Sequence, residues 1–411
     1  MTMIVLFLLQ AAVGMSFDQL SQTALAQNKS LQAAREQLRQ AEARLTQARL
    51  RPNPTLDFSH TTDVMFANEG ENGFAVTFAQ PIEIGGKRMN RMRVAEAEIE
   101  LAKAGIAESE RQLIGQLRVV YLRAAETSAR LNLLERTRGL NQQMVKVMNV
   151  RLASGDASRL DSHLLQAENN RVEAQRLQAE GQFTDEMFEI RRLAGISPDE
   201  PLSLNPLASG ALPVRSDAEL VELALRSRPD LQAARLREAL ADAGIALARS
   251  QAVPDLTGSV RYAREPTVSR FQTPTQPRAF EKDSILDFGI SIPLPFFNRE
   301  QGHIREAASR TTQTRAEREA LEHNIRVEVA AAARRYQLAL RSLELIRTGV
   351  VGETEQGFSI TQLAYRLGNA RLVDVMLQQR SLVEAEIAAV SAQSEVDASR
   401  AALDIAVGIR Q

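Results

Sequence analysis

Residues 87–153, KRMNRMRVAEAEIELAKAGIAESERQLIGQLRVVYLRAAETSARLNLLERTRGLNQQMVKVMNVRLA, contain no proline, and their three glycines stand isolated. Nothing in this stretch ends a helix decisively. At about 1.5 Å per residue, a helix of this length would span roughly 100 Å, several times the size of a compact domain. The stretch therefore predicts a helical strut rather than a core helix.

The apolar residues of the strut follow a heptad. Two sets of residues spaced seven apart are displaced by four from each other, as a and d positions are. They are Ile99, Ile106, Leu113 and Val120, and Leu117, Ala124 and Leu131. Such a seam has to be buried, so the rest of the chain is expected to supply packing helices.

The composition excludes several classes of function. Of 411 residues only 4% are aromatic, cysteine is absent and the net charge is −1. Disulfides, zinc-thiolate sites and cysteine nucleophiles are thereby excluded, and no nucleic-acid partner is indicated. The four histidines, His60, His163, His303 and His323, include no i, i+4 pair, so they are interpreted as solvated or structural and no metal site or cofactor is predicted. No set of nucleophile, base and orienting residue stands out, so the chain is not expected to be an enzyme.

The first fifteen residues differ from the rest. Residues 1–15 carry no charge, include an apolar run and end in small residues, which is typical of a secretory signal that lacks its basic start. The alternative is an apolar tail on a cytosolic protein. No apolar run reaches about 18 residues, so no transmembrane helix is predicted.

The chain is an internal duplication. Residues 31–35, LQAAR, recur as residues 231–235, and an ungapped comparison of residues 20–56 with 220–256 finds 14 identical positions among 37. The matches include Pro54 with Pro254, which chance similarity between alanine-rich helices does not explain. A second offset, 213, relates Gly155 to Gly368 and Gly195 to Gly408.

Each half is expected to contain the same elements. A helix, 18–50 in the first half and capped by Ser16 or Asp18, precedes a hairpin; the strut, or its counterpart 301–367, ends at a glycine turn; a shorter helix returns over 158–194 or 372–407. The predicted repeats are 16–196 and 216–411, with hairpins at 54–82 and 254–294 and helical tips near 152–161 and 365–374. Residues 197–215 are predicted to be a surface linker.

The hairpin strands alternate between apolar and polar residues. Their predicted length of about 9 to 11 residues suits a membrane-spanning strand. Four strands cannot close a barrel, for which about eight are needed, so strands in a membrane would imply a homo-oligomer. The alternative is a pair of soluble hairpins that cap a helical bundle.

This duplicated order of elements resembles the TolC-type outer-membrane efflux protein family, over about residues 18–408. Three segments are similar to its CzcC-like heavy-metal (cobalt-zinc-cadmium) branch: residues 51–54 (RPNP), 80–88 (QPIEIGGKR) and 292–302 (IPLPFFNREQG). The resemblance implies a mainly α fold with a small β part, in which a homotrimer forms a 12-helix α-barrel continued by a 12-stranded transmembrane β-barrel. It also implies a periplasmic adaptor (membrane fusion protein), an inner-membrane resistance-nodulation-division pump and outer-membrane lipid as partners.

The function that follows from the resemblance is a passive exit duct for divalent heavy-metal cations, in the outer membrane and extending into the periplasm. Two alternatives stay open: the same duct exporting drugs or other small molecules, and a soluble coiled-coil adaptor or scaffold.

The resemblance also places a pore gate at the two glycine turns. Its expected residues are Asp161 and Asp374, as rings of carboxylates, with Tyr365 and Arg371 as latches. The sequence departs from the family pattern at Leu377 and Ala370, where a second acidic residue and the usual arginine are replaced. From the residues alone, Asp161 and Asp374 are equally well explained as helix caps. The resemblance assigns adaptor contact to the exposed tips, at Arg151, Leu152, Ser154, Gly155, Leu367 and Gly368.

Overall fold

The computed structural model describes residues 14–62, 72–154, 158–205, 216–268 and 280–409. The expected signal, residues 1–15, therefore lies almost wholly outside the described residues. In chain order the elements are α1 (Phe17–Gln27), α2 (Lys29–Ala48), β1 (Thr55–Thr62), β2 (Asn72–Ile82), α3 (Lys87–Ala153), α4 (Arg159–Ala194), α5 (Asp217–Ser227), α6 (Pro229–Gln251), β3 (Leu256–Val268), β4 (Phe280–Ser291), α7 (Gln301–Leu345), a π-helical segment (Ile346–Val351), α8 (Gly352–Arg366) and α9 (Leu372–Val407).

The long helix is confirmed, and its counterpart is confirmed in part. Helix α3 runs unbroken for 67 residues over the predicted range. The segment predicted over 301–367 is helical without a gap, and the prediction is wrong in one detail, because a π-helical turn stands between α7 and α8. Two glycines, Gly349 and Gly352, lie in and directly after this turn, and glycine has a low helix propensity.

The prediction of a single helix over 18–50 is also wrong. The backbone of Asn28 is extended (φ −61°, ψ 122°), which divides the segment into α1 and α2, and Ser16 is the N-cap of α1. Arg228 divides α5 from α6 in the same way in the second half. There Pro229 follows directly, and the residue before a proline is restricted to extended conformations.

Residue clustering divides the chain into two compact units. The first contains residues 1–35, 105–231 and 320–411, and the second contains residues 36–104 and 232–319. In the first unit, Leu117, Tyr121 and Ala124 of α3 are fully buried with Leu20 of α1 and Ile190 of α4. The predicted heptad seam therefore packs into this core.

The same joint occurs twice in the first unit. The Asn28 side-chain amide donates to the carbonyl of Leu193 at the end of α4 (2.9 Å). Arg228 donates to the carbonyl of Ala406 at the end of α9 (2.9 Å). The two donors are 200 residues apart and the two acceptors 213 apart, which are the offsets of the sequence repeat.

A glycine ends the returning helix at each joint. Gly195 and Gly408 have φ of 73° and 78°, which side chains with a Cβ rarely adopt. A Cβ on Gly195 would lie 2.9 Å from the backbone of Gln27. Both the backbone conformation and the close approach of α1 therefore require glycine there.

The predicted surface linker is partly packed. The backbone N–H of Met15 donates to Ser203 (2.9 Å), and Met15 and Leu204 form an isolated bridge. Leu202 and Leu204 pack on the core of the first unit. Their apolar side chains explain why this end of the linker is held against the protein.

The second unit contains one antiparallel sheet of four strands, in the order β1-β2-β3-β4. The two hairpins pair side by side through β2 and β3. The register aligns the predicted alternation across all four strands: Leu56, Phe78, Val260 and Phe288 form one row, and Asp57, Thr77, Arg261 and Asp287 form a row on the opposite side. Strand lengths are 8, 11, 13 and 12 residues.

Both sides of the sheet are thus chemically distinct. We call one the apolar face; its large side chains are 38% to 78% exposed and comprise Leu56, Phe58, Phe74, Phe78, Val260, Tyr262, Leu286, Phe288 and Ile290. The other, the polar face, carries the ion pair between Arg261 and Asp287 (3.1 Å). Within the residues that the structure describes, no helix is long and apolar enough to cross a membrane.

Candidate functional site

The first tip lies between α3 and α4. Helix α3 ends at Ala153, and the hydroxyl of Ser154, the next residue, donates to the carbonyl of Arg151 (3.1 Å). Helix α4 begins with Ser158 as N-cap, its hydroxyl accepting from the N–H of Leu160 (3.1 Å). Gly155, expected to contact an adaptor, lies outside the described residues. Asp161 stands in the first turn, where a carboxylate interacts favourably with the helix dipole.

The second tip lies between α8 and α9. Gly368 has a φ of 79°, and its N–H donates to the carbonyl of Tyr365 (3.1 Å). The N–H of Asn369 donates to Ala364 (2.8 Å), which gives the hydrogen-bond pattern of a Schellman ending. Leu367, directly before the glycine, is 68% exposed. The glycine therefore turns the chain sharply and leaves an apolar side chain in solvent.

Asp374 satisfies the start of α9. Its carboxylate accepts from the backbone N–H of Arg371 (3.0 Å), and the Arg371 guanidinium lies 3.5 Å away. These two donors, the backbone N–H first, hold the pKa of the Asp374 carboxyl below its usual range. Arg371, expected together with Tyr365 as a latch, lies at this carboxylate, and Asp374 accepts a capping hydrogen bond at the start of α9 as Ser158 does at the start of α4.

Tyr365 is held by a different arginine. The guanidinium of Arg151, near the end of α3, donates to the Tyr365 hydroxyl at 3.1 Å. This bond joins the first tip to the second within one chain. The sequence analysis places Arg151 on the adaptor-facing surface and misses the pairing, because the two residues are 214 positions apart and no local pattern relates them.

A second polar link between α3 and the returning helix was also missed. Asn141, only 1% exposed, accepts a hydrogen bond from the side-chain amide of Gln379 on α9 (3.0 Å). A buried amide in a helical seam fixes the register of the packed helices, because any shift leaves it unpaired. The signal available in the sequence was the correspondence of Gln379 with Gln166 under the 213-residue offset.

Within the described ranges, no group of three or more histidine and carboxylate residues could hold a metal ion. The carboxylates of Asp161 and Asp374, at the starts of α4 and α9, can attract cations, and the Arg151–Tyr365 bond resists separation of the two tips.

The sheet with one exposed apolar face, the long helices and the glycine turn at the second tip are the features of the class of helical outer-membrane efflux channels. The family model "Outer membrane efflux protein" matches residues 20–196 and 220–409, one stretch in each half of the chain. The chain belongs to this family. It is accordingly a protein of the outer membrane.

Individual relatives are distant but cover most of the chain. The cobalt-zinc-cadmium resistance protein CzcC of Cupriavidus metallidurans is 25% identical over 94% of this chain and 88% of CzcC. The pyoverdine export outer membrane protein OpmQ of Pseudomonas putida is also 25% identical, over 90% of this chain and 80% of OpmQ.

Among solved structures, that of CusC, described for its transmembrane channel formation, superimposes with a TM-score of 0.79. The match covers 97% of this chain and 93% of CusC at 18% identity. At this identity the likeness establishes the fold alone.

Proposed function

We propose that this protein is the passive outer-membrane exit duct of a tripartite efflux system and that its cargo is divalent heavy-metal cations. The observation that carries the duct is the four-stranded sheet, whose apolar face is exposed to an extent that water does not favour. In a bilayer this face would contact lipid, and the polar face would line a water-filled lumen.

The homotrimer is part of the same proposal. Within the described part of the chain, β1 and β4 each pair on one side only. Unpaired strand edges are too costly in hydrocarbon, so other copies have to cover them. Three copies of a four-stranded sheet give 3 × 4 = 12 strands, enough to close a barrel. The helices of the three copies would continue it into the periplasm as a 12-helix α-barrel.

A passive duct needs a pump and an adaptor as partners. For a passive duct, an inner-membrane proton-driven pump of the resistance-nodulation-division type would supply both energy and substrate choice. A periplasmic adaptor would join the pump to the tips. Exposed Leu367 and Arg371 are suited to such a contact, whereas Arg151 is engaged with Tyr365.

The gate is proposed at the tips. Closing would bring the Asp161 and Asp374 side chains of three copies towards the pore axis, where carboxylates attract cations but repel one another. Within each chain, the Arg151–Tyr365 bond would hold the closed arrangement. Transient rather than tight contact with the metal is required, because a strong site would stop the flow.

The metal cargo is supported by the likeness to CzcC and by segments 80–88 and 292–302. The likeness to OpmQ supports export of other small molecules as the second candidate. A deletion strain, with and without the intact gene, separates them by its growth in cobalt, zinc, cadmium or nickel and in hydrophobic drugs or siderophores. Restored resistance to metals alone is expected. Sensitivity confined to organic compounds would retain the duct and overturn the metal assignment, and a protein absent from the outer-membrane fraction would overturn the duct.

A further inference from the structure

The loop that follows β4 is unusually apolar and unusually exposed. In residues 292–297, IPLPFF, the side chains of Leu294, Phe296 and Phe297 are 66%, 70% and 94% exposed. Phe297 is the most exposed large apolar side chain in the described part of the chain. The loop is nevertheless shaped by its own bonds: Arg299 donates to the carbonyl of Pro295 (3.2 Å), and the N–H of Phe296 donates to that of Leu294 (2.9 Å). A defined conformation therefore presents two phenyl rings to the surroundings.

A cavity of about 570 Å³ lies in the same compact unit, where α2 ends and α3 begins. Its walls include Leu50, Pro52, Val94 and Leu247, and arginines stand at its edge. Arg44 is paired with Glu98 (2.7 Å) and Arg91 with Glu83, and Arg51 lies beside them, so the edge is polar and carries one more positive than negative charge. Apolar walls with a guanidinium edge suit an aromatic ring, which gains both burial and cation–π contact.

The sheet register places this cavity and the phenylalanine loop at the same end of the sheet. Thr55 at the start of β1 pairs with Ala79, near the end of β2; Leu256, at the start of β3, pairs with Ile82. Thr257 then pairs with Ser291, the end of β4. The segment that enters β1 and the loop that leaves β4 consequently lie on opposite edges of the sheet but at one level.

The geometry points to a socket between copies of this chain: Phe296 and Phe297 of one copy occupy the Leu50–Pro52–Val94–Leu247 cavity of the next. The inference rests on the proposed closure of the barrel, in which β4 of one copy pairs with β1 of its neighbour. That pairing brings the end of β4 beside the start of β1, and so brings the loop to the mouth of the cavity. The sheet edges then supply backbone hydrogen bonds, and the socket supplies side-chain burial below them.

The alternative to a second copy is that lipid surrounds the two exposed phenyl rings. The cavity favours the second copy for two reasons. Its apolar walls would otherwise remain unfilled, and the ion pairs at its edge suit an aqueous boundary better than contact with acyl chains. The test therefore asks whether residue 297 lies against residue 50 of another copy.

The experiment uses the absence of cysteine from the chain. Leu50→Cys and Phe297→Cys replace side chains that are 54% and 94% exposed, so little packing within the chain is lost. The two single variants are co-expressed with different tags, purified in detergent as mixed assemblies and treated with a short bis-maleimide. In such mixtures a 50–297 link can form only between copies.

A matched control replaces Leu286, also apolar and exposed, with cysteine. Leu286 lies five residues before the end of β4, roughly 17 Å up the sheet at about 3.3 Å per residue, out of reach of the cavity. We expect a covalent dimer carrying both tags for the 50 and 297 pair, at least tenfold more abundant than for the 50 and 286 pair.

The mass of the native assembly is measured on the same samples. A trimer without the 50–297 link, or one in which a benzophenone amino acid at position 297 labels lipid rather than the peptide around Leu50, overturns the socket and leaves the duct standing. A monomer overturns the socket and the proposed trimer together. The benzophenone substitution keeps an aromatic side chain, so it also tests the socket if a cysteine variant does not assemble.

Discussion

A hydrogen bond from the Arg151 guanidinium to the Tyr365 hydroxyl links the two tips, so the role of a single hydroxyl can be tested by itself. Replacing Tyr365 with Phe removes the acceptor and keeps the ring. The donor is charged but the bond is exposed to solvent, so its loss should cost about 1 kcal/mol, which corresponds to an open fraction roughly fivefold higher if the bond exists only in the closed state. Channel conductance in planar bilayers measures this change.

Arg366→Ala is the control for that variant, because the Arg366 guanidinium donates to Gln362 on its own helix, α8, rather than to the other tip. It should leave conductance at the wild-type level. Equal conductance for Tyr365→Phe and the wild type would refute the latch.

Asp374 gives a prediction with a pH dependence. Asp374→Ala removes the acceptor for the N–H of Arg371, so the first turn of α9 should exchange its amide protons faster at neutral pH. The folded-state pKa of Asp374 is lowered, so its stabilisation is fully present above the unfolded pKa of about 3.9 and is lost as the pH falls through the lower folded value. The difference between variant and wild type should therefore disappear in strong acid.

Asp161→Ala supplies the comparison at the matching position. At the first tip Ser158 is the cap, so Asp161→Ala should leave exchange in α4 almost unchanged, whereas Ser158→Ala should raise it. If the two aspartate variants behaved alike, the distinction between the tips would be wrong.

At the scale of elements, the Arg228 side chain at the end of α5 contacts three other helices, α6, α7 and α9. Arg228 is 6% exposed and contacts Asp230 (2.7 Å), Glu328 (2.7 Å) and the carbonyl of Ala406. Arg228→Ala leaves two carboxylates and a buried carbonyl without their donor, and should lower the free energy of unfolding by about 3 kcal/mol. Thermal unfolding in detergent, followed by circular dichroism, measures the loss.

Arg226→Ala is the matched control two residues away. Its ion pair with Glu222 is largely exposed, so the change should stay within about 0.5 kcal/mol. A loss at Arg226 as large as that at Arg228 would show that burial does not determine the effect.

These elements also mark how far sequence reasoning reaches. The 3.6-residue period and the lack of proline were sufficient for α3 and α9, because helix formation over such lengths depends on local spacing. The break at Asn28 was missed, since it depends on a carbonyl in a distant helix that accepts from the Asn28 side chain, whereas the break at Arg228 is marked in the sequence by Pro229. The π-helical turn was missed for a related reason: it contains no proline, and an isolated glycine does not by itself interrupt a helix.

At the scale of the whole molecule, we expect an arginine to have opposite effects on stability at neighbouring positions on the two faces of the sheet. Leu286→Arg puts a charge on the apolar face and should cost about 2–4 kcal/mol near the middle of a bilayer. Residue 285 lies on the polar face, between Asp283 and Asp287, so Ile285→Arg should be tolerated. The yield of folded oligomer in the outer membrane, and urea unfolding in lipid vesicles, compare the two variants. Equal loss for both would contradict a lipid-facing apolar face.

The sequence by itself determined the elements and their repetition. Heptad spacing gave the long helix, period-two alternation gave the strands with one apolar and one polar side, and two constant offsets gave the duplication, because each of these is encoded by residues close in the chain. The glycine turns were likewise visible as residues that permit a positive φ.

Only the tertiary structure decided which residues meet. It paired β2 with β3, so that the two hairpins form one sheet with two open edges. It placed the Tyr365 hydroxyl at the Arg151 guanidinium and the backbone N–H of Arg371 at the Asp374 carboxylate. It also buried Asn141 beside Gln379. Partners hundreds of residues apart are selected by how complete helices pack, and the energy of that packing is spread over many contacts that no short motif encodes.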